Sequence, residues 1–122
     1  MAAERILIVD DDESIRQIVR ICLTDEGYEV FEAPNGQVAL NTLGEFMPDL
    51  ILLDLRMPVM DGWEFAKRYE KMPGPRAPVV AFVAALNAEQ DCADLDAAGI
   101  LAKPFDLDDL LKAVRSLLKM PT

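Results

Sequence analysis

The sequence contains no histidine. Zinc sites built on an imidazole are therefore excluded, as are Ser-His and Cys-His nucleophile pairs. Cysteine is scarce: Cys22 and Cys92 are the only two, and no CxxC spacing occurs. Each falls in an apolar-periodic segment, so both read as small buried side chains rather than a disulfide or metal pair. Long hydrophobic runs are missing as well, none approaching the roughly 20 residues that cross a bilayer. The opening Met1-Ala2-Ala3 has neither a basic start nor an apolar stretch, so no signal peptide is expected and the chain reads as cytoplasmic. Basic residues are few, 12 against 22 acidic, for a net charge of -10. That balance argues against direct binding of nucleic acid or an anionic membrane, and suits a cation site or a basic partner.

What is present is a core. Of 122 residues, 52% are hydrophobic, enough for one compact domain over residues 1–122 and too short for a second. No internal repeat, low-complexity tract or linker interrupts it. Apolar runs alternate with helix-period segments. Ile6-Leu7-Ile8-Val9 is a strand covered on both faces. From Glu13 to Glu26, Ile15, Ile18, Val19 and Cys22 recur at helical spacing, and Gly27 stops the helix. Tyr28 to Ala33 is a second strand. Asn35-Gly36 opens a helix with Val38, Ala39, Thr42 and Leu43 inward. Leu50 to Leu53 is a third strand, and after Pro58 and Gly62 a helix carries Phe65, Ala66 and Tyr69. The stretch from Pro73 to Pro78 is a connector. Val79 to Val83 is a fourth strand, residues 88–98 a fourth helix, and Ile100 to Ala102 a short fifth strand. Asp106 is placed to cap the last helix, striped by Leu107, Leu110, Leu111, Val114, Leu117 and Leu118. Five strands alternating with five helices predict an α/β fold, a parallel sheet between two helical layers.

The informative feature is how the strands end. The first stops at Asp10-Asp11-Asp12, the third at Asp54, the fifth at Lys103-Pro104. Ligands of open parallel sheets bind beyond the carboxyl ends of the strands, so these charges should converge. Clustered carboxylates repel and favour a cation. Oxygen ligands suit Mg²⁺, which takes one or two carboxylates plus a phosphate. A lysine offers a point charge to a phosphoryl oxygen, and an aspartate can attack phosphorus to form an acyl phosphate. Each residue alone has a plainer reading: Asp12 as a helix cap, Asp54 as a turn former, Lys103 as a solvated side chain. Their joint placement at strand ends favours a site.

Three segments carry a resemblance. Residues Ile6 to Asp12, Pro48 to Gly62 and Lys103-Pro104-Phe105 resemble, in order and spacing, the first strand, phosphorylation segment and lysine motif of response-regulator receiver domains. The resemblance spans essentially the whole chain. It implies a flavodoxin-like (βα)5 fold with strand order 2-1-3-4-5. It implies that Asp54 accepts a phosphoryl group from a sensor histidine kinase or phosphotransfer protein. Mg²⁺ or Mn²⁺ would then be held by Asp11, with Asp10 assisting, by the Asp54 carboxylate and by the backbone carbonyl of Arg56. Lys103 would pair with Asp54 and then with the phosphoryl group. The signal would pass to a downstream protein or to an output domain outside these residues, through a surface that includes Ile100. Such a protein catalyses only its own phosphorylation and dephosphorylation, and is not otherwise an enzyme.

Three departures from the family pattern stand out. The family usually ends its fourth strand in Thr or Ser followed by Ala, where this chain has Val83-Ala84 or, shifted by one, Ala84-Ala85. The family's aromatic switch position is Ile100, and the segment from Gly99 to Lys103 is a few residues short. Arg56 and Ala85 lie where the family tunes dephosphorylation, so a bulky cation at 56 would shield the acyl phosphate. A degenerate receiver, acting as a phosphorylation-independent interaction module, is the alternative reading. A phosphatase reading of Asp10-Asp11-Asp12-Glu13-Ser14, with Asp10 attacking and Asp12 as acid, leaves Asp54 unexplained. An EF-hand reading fails at Ile15, where glycine is required.

Overall fold

The computed structural model describes residues 3–93 and 95–118. Its strands are β1 (Arg5–Val9), β2 (Glu29–Ala33), β3 (Leu50–Asp54), β4 (Val79–Ala84) and β5 (Gly99–Lys103). The helices are α1 (Glu13–Asp25), α2 (Gly36–Leu43), α3 (Gly62–Glu70), α4 (Ala88–Cys92) and α5 (Leu107–Leu117), with a 3-10 turn at Ala85–Asn87 before α4. All pairings are parallel and the strand order is β2-β1-β3-β4-β5. This is the flavodoxin-like order expected.

Strand alternation builds two cores. Leu7, Val9, Ile51, Leu53, Ala81 and Val83 face the layer of α2, α3 and α4, where Ala39, Leu43, Phe65 and Tyr69 meet them. Ile6, Ile8, Leu50, Leu52, Val80 and Phe82 face α1 and α5, against Val19, Leu23, Leu110 and Val114. Every residue of β3 is buried, which is why its sequence is an unbroken apolar run up to Asp54. Truncating a residue such as Phe82, which is 0% exposed, would cost about 3–5 kcal/mol.

Several elements differ from the sequence expectation. Val38 and Ile18 are exposed, and Leu40 and Leu23 take the inward places. Asp106 stands at the start of α5 but its side chain makes no capping hydrogen bond. Strand β5 is longer than expected by one residue at each end, and equals β1, β2 and β3 in length. The missing length comes out of α4, which has five residues where a helix to 98 was expected. A helix advances only about 1.5 Å per residue and an extended chain about 3.3 Å. With few residues left to reach β5, the chain leaves the helix early. The Ala98 amide already donates to the Val79 carbonyl at 2.8 Å as β5 begins.

Candidate functional site

The ladder carries β1 one residue past its apolar run, since the Asp10 amide donates to the Ala33 carbonyl at 3.1 Å. Asp10 is fully buried. Its Oδ1 accepts the Asp12 amide at 2.9 Å, and its own carbonyl accepts Arg16 Nη1 at 2.6 Å. Arg16 is in turn paired with Glu32 at the end of β2. Asp12 turns outward and caps α1, its Oδ1 accepting the Ser14 and Ile15 amides. Asp11 is exposed at the mouth. The three adjacent aspartates thus have three environments, and only Asp12 does what a helix cap does.

Asp54 ends β3 and is 6% exposed. One carboxylate oxygen from each of Asp10, Asp11 and Asp54 can be chosen so that all lie within 4.8 Å of one another. From the edge strand β5, Lys103 closes the cluster. Its Nζ is 3.1 Å from Asp10 Oδ2 and 3.4 Å from Asp54 Oδ1. Two of the three carboxylates, Asp10 and Asp54, therefore share one ammonium. Burial pushes the Asp54 pKa up to about 6, the Asp10 charge adds to the rise, and Lys103 offsets only part of it. Burial pulls the Lys103 pKa down, but Asp10 and Asp54 outweigh it and leave it above its ordinary value. A cluster of hard oxygen donors with negative charge in excess fits a divalent cation such as Mg²⁺ or Mn²⁺.

The loop after β3 is held against the sheet. The Leu55 amide donates to the Phe82 carbonyl, and the Gly62 amide to the Leu55 carbonyl at 2.8 Å. A Cβ on Gly62 would lie 2.7 Å from both the Asp54 carbonyl oxygen and the Leu55 Cα, so no side chain fits there. At the loop tip the Met60 amide donates to the Pro58 carbonyl across Val59, whose φ is 70°. That is a γ-turn in the left-handed region, strained for a β-branched residue. Met60 tucks under the tip against Gly36 of α2.

Register resolves the missing hydroxyl. Asp54 pairs with Phe82 and Lys103 with Ala84. Ala84, two residues beyond Phe82, lies on the Asp54 side of the sheet and is exposed, whereas Val83 is buried in the opposite core. Neither side chain carries a hydroxyl, so the end of β4 offers the site no O–H donor. Ile100 pairs with Ala81 on the edge strand and is half exposed.

Arg56 departs from its expected place. Its guanidinium does not cover Asp54. It forks onto Asp91 of α4 at 2.9 and 3.3 Å and lies over the Trp63 ring. Nothing in the sequence singles out Asp91 or Trp63. Asp91 reads there as one more solvated charge in an acidic helix, and its partner is 35 residues away. Both cysteines are free and half-buried. Among the described residues, no helix is long and apolar enough to cross a membrane.

Beside Lys103 a groove of about 420 Å³ runs between α1 and the start of α5, lined by Ile15, Ile18, Val19, Pro104, Phe105 and Leu107. The Phe105 ring leans on Phe82 at 4.8 Å, so the groove floor is fixed to the core beneath the acidic edge.

Known proteins share both the sequence and the shape. The model of the response regulator receiver domain matches residues 6–115. Sporulation initiation phosphotransferase F of Bacillus subtilis is 38% identical over 121 residues, 98% of each chain. Response regulator MprA of Mycolicibacterium vanbaalenii is 37% identical over 97% of this chain and 52% of its own length, so this chain spans about half of that relative. Among solved structures, a putative response regulator from Chloroflexus aurantiacus superposes with a TM-score of 0.89 at 30% identity, covering 98% of this chain and 100% of that one. The response regulator TrrA of Thermotoga maritima, solved in complex with Mg(2+)-BeF, gives 0.82 at 33% identity, covering 93% and 98%.

Proposed function

The chain belongs to the response-regulator receiver family, and we propose that within it the chain works as a phosphoacceptor, with Asp54 as the accepting residue. The observation that carries this reading is the pairing of a buried, undercompensated Asp54 with Lys103 at 3.4 Å. An Asp54 oxygen attacks phosphorus, the P–N bond of a partner's phosphohistidine breaks, and the ring, already protonated on its other nitrogen, leaves as neutral imidazole. Lys103, held by Asp10, faces the incoming phosphoryl oxygens. Asp11, Asp54, Asp10 and the Arg56 carbonyl are the groups that would hold Mg²⁺ or Mn²⁺, and TrrA was solved with Mg(2+)-BeF. When bound, such an ion offsets charge on the phosphoryl group.

Receiver domains interact with histidine kinases or phosphotransfer proteins, and phosphotransferase F is named for that transfer. The groove beside Lys103, an apolar surface that adjoins the acidic cluster, supports docking of such a donor there. The chain turns over no other substrate, and its signal leaves through a downstream protein or an attached output domain.

Ala84 supports one rival: a receiver that binds partners without reading phosphorylation. Incubation with phosphoramidate or acetyl phosphate separates the two by intact mass. A gain of one phosphoryl group that needs Mg²⁺ and is abolished by chelator supports the acceptor. No adduct at any donor concentration supports the rival.

A further inference from the structure

The Arg56 side chain leaves the acidic edge altogether. Nη2 donates to Asp91 Oδ1 at 2.9 Å and Nε to Oδ2 at 3.3 Å, a two-point fork. The guanidinium lies 5.4 Å from the centroid of Trp63, in the first turn of α3. Trp63 Nε1 closes the set by donating to the Asp91 backbone carbonyl at 2.8 Å. The loop after β3, helix α3 and helix α4 thus meet at three side chains.

Helix α4 depends on that meeting. Five residues are too few to hold a helix by their own hydrogen bonds. Its one buried side chain is the Asp91 carboxylate, 7% exposed, and Ala88 and Cys92 add only partly buried apolar surface. The short helix is therefore anchored through a charge, and its cation stands two residues along the chain from Asp54.

We propose that this fork reports the state of Asp54: a phosphoryl group there draws Arg56 off Asp91 and frees α4. The inference rests on the reading of Asp54 as the acceptor. Guanidinium forks match phosphoryl oxygens as well as carboxylates, and a phosphoryl dianion is the stronger partner. The Arg56 side chain is 62% exposed, so nothing encloses it in its present position. Asp91, once deserted, is a buried carboxylate without its cation, a state that strongly favours opening to water. The fork also supplies a route from site to surface where Ala84 offers no hydroxyl.

The test combines intact mass with amide exchange over residues 85–93, with and without phosphoramidate and Mg²⁺. In the wild type, exchange there rises roughly ten- to hundredfold with the phosphorylated fraction, the scale of one lost charge-assisted bond. Emission from Trp63, the single tryptophan, shifts in parallel. In Asp91→Asn, exchange is already fast before phosphorylation and does not change with it, while the mass gain equals that of the wild type. An Asp91→Asn protein that keeps the phosphorylation-dependent step overturns the proposal. So does a fully phosphorylated wild type with no change over 85–93, which decides the matter even if the variant does not fold. Absence of any adduct on the wild type overturns the acceptor reading itself, a separate outcome visible in the mass alone.

Discussion

Lys103 makes its shorter contact with Asp10, its Nζ lying 3.1 Å from Oδ2 of that fully buried carboxylate. The lysine therefore holds the site together as well as facing the acceptor. Lys103→Met leaves Asp10 and Asp54 buried without a cation. Breaking a fully buried pair costs about 3–5 kcal/mol; with Lys103 at 27% exposure the expected loss is about 2 kcal/mol. Urea denaturation in chelator measures it, and Mg²⁺ should restore part of the loss through binding to the folded state. An unchanged midpoint would show that the pair contributes nothing.

Asp54 gives the stability a pH dependence of definite sign. Its pKa is about 6 in the folded chain against an ordinary 3.8, raised first by burial and then by Asp10. Between those values the folded state binds more protons than the unfolded one. The stabilisation is fully present below 3.8 and is lost as pH rises through about 6. In chelator, Asp54→Asn should therefore be more stable than the wild type at neutral pH, with the gap narrowing as pH falls below about 6 and closing toward 3.8. Paired denaturation curves test this, and a gap that ignores pH would contradict it.

Val59 carries strain with no packing return. Its φ is 70° and its side chain is 81% exposed. Relief of a left-handed β-branched residue is of order 1–3 kcal/mol, less the entropy glycine adds to the unfolded chain. Val59→Gly should raise stability by about 1 kcal/mol, readable as a higher urea midpoint at constant slope. A lower midpoint would mean the γ-turn is not strained.

A donor protein docked in the groove beside Lys103 would touch Ile18, whereas a small-molecule donor at Asp54 would not. Ile18 is 53% exposed and lines the groove. Ile18→Glu should slow phosphotransfer from a phosphorylated histidine kinase or phosphotransfer protein by about tenfold or more, as an interface anchor would. Phosphorylation by phosphoramidate should stay at the wild-type rate. Equal slowing of both donors would place Ile18 outside any docking surface.

Much of this arrangement is legible in the sequence because parallel strands buried on both faces must be apolar runs. Where β1, β3 and β5 stop, the chemistry starts, and Asp10, Asp54 and Lys103 mark those points. Asp12 as a helix cap follows from its position alone. Other features were hidden for physical reasons. Which of Val83 and Ala84 faces the site depends on register against β3, which a run of small apolar residues leaves open. The length of α4 is set by the distance back to the sheet, not by the propensity of Ala88 to Ala98, which favours a longer helix. Arg56 looks like a shield for Asp54 until its partner is known, and Asp91 is distant in sequence. A positive φ at Val59 contradicts every local preference of valine and follows only from closure of the loop.

The central claim is that Asp54 is the acceptor, and borohydride trapping tests it most directly. Reduction of an aspartyl phosphate yields homoserine, which tandem mass spectrometry places on the sequence. After phosphoramidate and Mg²⁺, homoserine at position 54 alone is the predicted result, absent in Asp54→Asn and present in Asp10→Asn. Homoserine at Asp10 or Asp11, or an adduct that survives Asp54→Asn, would contradict the account.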